Sequence, residues 1–274
     1  HGVTHHEYVE VQPTLAGFRN ASTLRLTEQI ATAVVSTVRA ADSDVLIFAG
    51  EIGPHNGGNP PCNHSSMRWA PFGDSFWYAD SLAAKARAGY AGFCRQDLIG
   101  ADYGLLDCSS GEPLPDFFTA LVWTRTMGVH VLAASAVSTG AVAESVRAYA
   151  HCTAASESST ATPGAVTVLL INPSNASLAV HFEASLGGAA RAYVLEPSAD
   201  AASSLTGQGG VLGTGATLNG VLLRVGANGT VPSLRPAELG GVSDVLVPSS
   251  AVAFYIFPDA KHSDCSAPAR YSFS

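Results

Sequence analysis

Apolar residues follow two different spacings along this chain, and the change falls near its middle. Up to about residue 130, short apolar runs alternate with stretches of helical period. Gly2–Tyr8 reads as a short strand. Leu26, Ile30, Val34 and Val38 recur every four positions, one face of a helix that Asn20 or Ser22 can cap. Val45-Leu46-Ile47-Phe48-Ala49 is a continuous apolar run, as expected of a parallel strand buried on both faces. A loop rich in Gly, Pro and Asn covers Gly53–Pro61, and Asp74 or Ser75 can cap a helix carrying Phe76, Trp77 and Leu82. Gly92-Phe93-Cys94 reads as the next strand, with Cys94 expected as a buried core thiol. Pro113 and Pro115 introduce a last helix through Phe117, Leu121 and Trp123. Such β/α repetition predicts a parallel sheet covered by helices.

Beyond Val131 the runs shorten and turn signals separate them: Ser145–His151, Val166–Ile171, Leu178–Phe182, Arg191–Leu195, Val221–Val225 and Ala251–Phe257. Ser, Gly and Ala supply loops over Ala199–Gly215. Short strands at this spacing predict an antiparallel β-sandwich. The boundary is placed near residues 128–140, giving an α/β domain over 1–130 and an all-β domain over 131–274.

Composition narrows the function classes. The 274 residues are 47% hydrophobic and 13% charged, which excludes a disordered polyelectrolyte. No apolar run reaches the roughly 18 residues that would span a bilayer. Fourteen basic against 22 acidic residues leave a net charge of −8, without a Lys/Arg cluster. Nucleic acid is therefore not an expected partner, and a heavily sulphated polyanion is disfavoured. The chain begins with His1 rather than Met, so residues upstream are expected. Sequons occur at Asn20, Asn63, Asn175 and Asn228, and the five cysteines show no C-x-x-C spacing. Neither a metal nor a cofactor is expected: His5 and His6, as strand neighbours, point to opposite faces and cannot share an ion. An oxidising secretory compartment fits these features.

Candidate chemistry centres on Glu51, just past the C-terminal end of the buried run, where β/α barrels place catalytic groups. Gly50 and Gly53 flank it and allow sharp turns. A rival enzyme reading joins Gly73-Asp74-Ser75 to Asp259-Ala260-Lys261-His262 as an esterase serine with its partners. It fails because Arg68-Trp69-Ala70-Pro71 is not the buried strand such a serine should follow. A non-catalytic reading, carbohydrate binding or scaffolding, would use Trp69, Trp77 and Tyr103 for sugar stacking.

An ordered set of motifs resembles glycoside hydrolase family 79, the heparanases and heparanase-like β-glucuronidases. It comprises Val3-Thr4-His5-His6-x-Tyr8, Gly50-Glu51 with Asn56-Gly57-Gly58, and Cys94-Arg95-Gln96-x-Leu98-Ile99-Gly100-Ala101-Asp102-Tyr103-Gly104-Leu105-Leu106. Pro113-Leu114-Pro115-Asp116-Phe117-Phe118, Leu132-Ala133-Ala134-Ser135, Arg147-Ala148-Tyr149-Ala150-His151-Cys152 and Leu169-Leu170-Ile171-Asn172 follow in order. The Cys-Arg-Gln-x-Leu-Ile-Gly element is closer to the plant-type branch.

That resemblance implies the last three β/α units of a (β/α)8 barrel followed by a β-sandwich, and retaining hydrolysis of β-linked glucuronic acid in glycans. It makes Glu51 the nucleophile, gives Gly57 and Gly58 backbone contacts to the uronic acid carboxylate, and adds Tyr103 to the same carboxylate. It places Gln96 and His5 along the sugar site and pairs Cys152 with Cys265, while Cys62 and Cys108 could also pair. It further implies a glycoprotein that is secreted or lysosomal/vacuolar and membrane-associated in some relatives. The family's acid/base glutamate belongs to an Asn-Glu-Pro-like motif, and no Asn-Glu pair occurs here. The chain alone is thus expected to be inactive, with the remaining barrel segment as a candidate partner. Two departures stand out: Pro54-His55-Asn56-Gly57-Gly58-Asn59 replaces the usual loop, and Glu7 replaces an apolar or aromatic residue.

Overall fold

Hydrogen bonding along the backbone turns the first spacing into three parallel strands. The computed structural model describes residues 1–57, 68–134, 146–157, 163–186, 188–226, 228–241 and 243–266. They divide into two units, one of 1–119 with 196–217 and 221–232, the other of 120–195 with 218–220 and 233–274.

In the first unit β1 (Gly2–Tyr8), α1 (Leu15–Phe18), α2 (Ala21–Ala41), β2 (Leu46–Gly53), α3 (Asp74–Ala88) and β3 (Gly92–Arg95) follow in order, and α4 (Pro115–Thr126) begins there. The sheet order is β1-β2-β3, with both pairs parallel. Asn20 caps α2, its side-chain oxygen accepting from the Ser22 amide at 2.9 Å. The buried stripe of α2 is Leu24, Thr27 and Ala31, whereas Leu26 is 41% exposed. The expected stripe beginning at Leu26 is therefore rotated, and α2 packs against α3. Asp74 and Ser75 do not cap α3; that position is Gly73, which makes no side-chain cap bond. Both side chains are instead buried, where they meet partners from other elements. Gly89, at φ 95°, ends the helix in the left-handed conformation that glycine tolerates. Cys94 is exposed rather than buried, since alternation along β3 turns Phe93 and Arg95 to the helix-covered face.

In the second unit β4 (Met127–Leu132), β5 (Arg147–Thr153) and β6 (Val166–Asn172) pair antiparallel in sequence order. β7 (Leu178–His181) and β8 (Ala190–Pro197) follow. Short strands β9 (Ala216–Leu218) and β10 (Val221–Leu222) come next in sequence; β10 and all of β9 but Leu218 fall in the first unit, and β10 stops short of Val225. β11 (Ala237–Leu239) pairs with β8, and β12 (Asp244–Val247) with β7. β13 (Ala251–Phe257) lies between β6 and β8, antiparallel to both. Every residue of β6 and β13 is buried, which explains why both strands are apolar apart from Thr167 and Asn172 of β6. One core draws Val168, Leu170, Ala253 and Tyr255 together with Phe182, Val245 and Val247. Cys152 and Cys265 are disulfide-bonded across 113 residues. Cys108 is also disulfide-bonded; Cys62 lies outside the described residues. Among the described residues no helix is long and apolar enough to cross a membrane.

Candidate functional site

Glu51 reaches its face of the sheet through a bulge. β1 and β2 pair in step from Gly2↔Leu46 to His5↔Ala49, after which His6 pairs with Glu51 and Gly50 is passed over. In a regular strand Ile47, Ala49 and Glu51 would share one face. The extra residue reverses the alternation, so Ile47, Ala49 and Ile52 are fully buried while Glu51 joins His6 and Tyr8 on the opposite side. Glycine is required at the bulge: a β-carbon on Gly50 would stand 1.9 Å from Thr4 Oγ1. One on Gly53 would stand 2.6 Å from Tyr8 Cε1.

The Tyr8 hydroxyl donates to Glu51 Oε1, and His6 Nδ1 lies 3.6 Å from Glu51 Oε2. Burial first, then the bond to Glu51 and the neighbouring Tyr103, push the Tyr8 phenol well above its usual pKa. It stays protonated and serves as a fixed donor to the carboxylate. Tyr103, 3% exposed, is a near neighbour of Tyr8 and so stands in the same cluster. The Gln96 amide donates to Ile52 O at 2.9 Å, placing that residue beside the end of β2. Gly57 is exposed in the turn after β2 at φ 81°, with open space where a β-carbon would be. Its glycine therefore answers a backbone requirement. Gly58 and Asn63 lie outside the described residues.

His5 is not brought to Glu51. It faces the helices, where its Nε2 lies 2.8 Å from the Tyr90 hydroxyl, and burial lowers its pKa. The alternation that parts His5 from His6 is the physical reason, and it gives His6 the place beside Glu51. Glu7, on the same face as His5, forms a buried ion pair with Lys85 at 2.9 Å. The departure at position 7 is thus matched by a lysine on α3.

Sequence reasoning also passed over Arg95, which joins several parts of the site. Its guanidinium donates to Asp116 Oδ2 at 2.9 Å, Asp74 Oδ2 at 3.1 Å and Tyr103 O at 3.0 Å, and also to Gln96 O. Its centre lies 5.2 to 5.5 Å from the rings of Trp77, Tyr78 and Tyr103. Burial opposes its charge, but Asp116 and Asp74 outweigh that and raise its pKa. Asp74 is raised well above the carboxylate range, by burial and then by Asp116. The only sequence signal was an arginine in an apolar strand. Ser75 is fully buried and donates to Asp116 at 2.7 Å, which leaves it no role as an exposed esterase nucleophile.

No family model matches the chain. Individual relatives do. It is 33% identical over 222 residues to heparanase-like protein 1 of Arabidopsis thaliana, covering 71% of this chain and 38% of that protein. It is 31% identical over 201 residues to baicalin-beta-D-glucuronidase of Scutellaria baicalensis, covering 72% of this chain and 34% of that protein. The chain thus spans little more than a third of the length of these relatives. Among solved structures, a 4-O-alpha-L-rhamnosyl-beta-D-glucuronidase from Fusarium oxysporum matches with a TM-score of 0.56 at 12% identity, over 93% of this chain and 53% of that one. At that identity the likeness is one of fold alone. Its sequence relatives place the chain in the heparanase and heparanase-like β-glucuronidase family, glycoside hydrolase family 79.

Proposed function

We propose that these residues supply the nucleophile side of a retaining glycosidase acting on β-linked glucuronic acid. The supporting observation is the bulge at Gly50, which sets Glu51 on one face with Tyr8 and His6, Tyr8 being in turn a neighbour of Tyr103. In this reading Tyr8 fixes Oε1, and Oε2 attacks the anomeric carbon to form a glycosyl-enzyme. Water then releases the sugar with retention. Tyr103 and the Gly57-Gly58 backbone receive the uronate, whose negative charge suits N–H and O–H donors. That the Scutellaria relative is a baicalin-beta-D-glucuronidase supports a glucuronide as substrate.

The sheet of β1 to β3 is read as the last three β/α units of a (β/α)8 barrel, and the antiparallel sheets as its accompanying sandwich. Retention also needs a carboxylic acid about 5–5.5 Å from the nucleophile. With no Asn-Glu pair in the sequence, that acid comes from other residues of the barrel, and these 274 residues alone do not turn over. Exposed sequon asparagines Asn20, Asn175 and Asn228 fit a secreted or lysosomal/vacuolar glycoprotein, membrane-associated as in some relatives.

A mechanism-based uronic-acid inactivator tests this. In the full-length protein it should attach to the peptide carrying Glu51, and Glu51→Gln should abolish attachment. A protein that binds the glycan but is never labelled would support the lectin-like alternative. Glucuronide hydrolysis by the isolated 274-residue polypeptide would overturn the division of the two carboxylates.

A further inference from the structure

We infer that Glu10 and His55 are positioning residues that preset the loop after β2 to receive the acidic group of the sugar; this rests on the glucuronidase reading above. Glu10 follows β1 and is held at φ 55°, a left-handed backbone uncommon for a residue with a side chain. Its carboxylate reaches across to the loop, with Oε2 2.5 Å from His55 Nδ1 and Oε1 accepting the Asn56 amide at 3.0 Å. The His55 ring stacks on Trp69, centroids 4.1 Å apart and planes 3° apart. Trp69 Nε1 in turn donates to Val11 O at 2.6 Å, and the Val11 amide donates to Pro54 O at 2.8 Å. The segment after β1 and the loop after β2 are therefore fastened at the backbone, at the carboxylate and at the rings.

Two consequences follow for a uronate. First, the backbone leading into Gly57 is ordered before any ligand arrives, so binding does not bear that ordering cost. Second, Glu10 spends its charge on His55 and Asn56 and does not confront the ligand's carboxylate. Glu10 and His55 act through the loop and so should govern ground-state affinity while leaving bond making at Glu51 unchanged. His55 belongs to the stretch where this chain departs from the usual family loop, so the clamp is a local device of this sequence.

The test uses the full-length protein and the uronic-acid inactivator, separating its apparent dissociation constant from its maximal rate. Glu10→Ala should raise the constant about tenfold and leave the maximal rate within about twofold. His55→Phe keeps the ring stack, loses the carboxylate partner, and should show the same split. A purely structural role would reduce the labelled fraction without moving the constant. An unmoved constant in both variants, or a fall confined to the maximal rate, overturns the clamp while labelling of the unaltered protein upholds the enzyme. No labelling of the unaltered protein overturns the enzyme reading and the clamp with it.

Discussion

At the scale of single residues, the cluster around Glu51 depends on groups that are small or rigidly held. Tyr8→Phe removes the donor to Oε1 and should lower the maximal labelling rate of Glu51 about 10²-fold, with little loss of stability. Gly53→Ala would reach a similar end by another route. Its β-carbon would stand 2.6 Å from Tyr8 Cε1, so the ring must move and its hydroxyl with it. A loss of about 1–3 kcal/mol in urea unfolding should accompany the fall in rate. If Gly53→Ala labels at the unaltered rate, the Tyr8 ring has room that this packing denies it. Glu51 was legible as a candidate because it follows a buried apolar run. Its direction was not, because periodicity alone puts it on the face of Ile47 and Ala49.

At the scale of elements, Arg95 binds β3 to the first turns of α3 and α4 through Asp74 and Asp116. Removing its charge leaves two buried carboxyl groups facing each other, and loss of one partner of a buried pair typically costs about 3–5 kcal/mol. Arg95→Met should fall near the lower end, because the raised pKa of Asp74 lets that group take up a proton. Denaturant midpoints would show it, and an unchanged midpoint would contradict the bridging role. In the second unit, the Cys152–Cys265 disulfide closes a loop of 113 residues. Cys265→Ser should cost at most about 5 kcal/mol on the chain-entropy account, read from the same curves. The three longer helices and most strands were legible in apolar spacing, whereas the single turn of α1 was not. The partners of Arg95 were not, since Asp74 and Asp116 sit at helix starts where sequence rules anticipate solvent-facing caps.

For the molecule as a whole, acidity should weaken the fold through buried imidazoles. Burial lowers the pKa of His151, which a bond to the Gly128 carbonyl only partly offsets, and burial lowers His5 as well. The unfolded chain, with imidazoles near 6.5, therefore binds more protons than the folded one just below that pH. Their contribution to stability is full above 6.5 and declines as pH falls through that value toward the folded pKa. Urea midpoints at pH 5 and 7.5, approximate endpoints chosen around the usual imidazole range, should differ, and His151→Gln should shrink the difference. An equal difference in that variant would assign the acid sensitivity to other groups.

By itself the sequence determined the alternation of helix with parallel strand, the later antiparallel runs, the Cys152–Cys265 pairing through its resemblance, and the family. These are matters of period, composition and local motif, which a linear string records. Tertiary structure alone decided which face each side chain takes. One residue too many in β2 reversed the alternation, with glycine at position 50 leaving room for Thr4, and put Glu51 with Tyr8 and His6 instead of with Ala49. Strand pairing also sent His5 to Tyr90 and matched Glu7 with Lys85, 78 residues away. Contacts of that range leave no mark on local spacing, because the chain between them is free to vary.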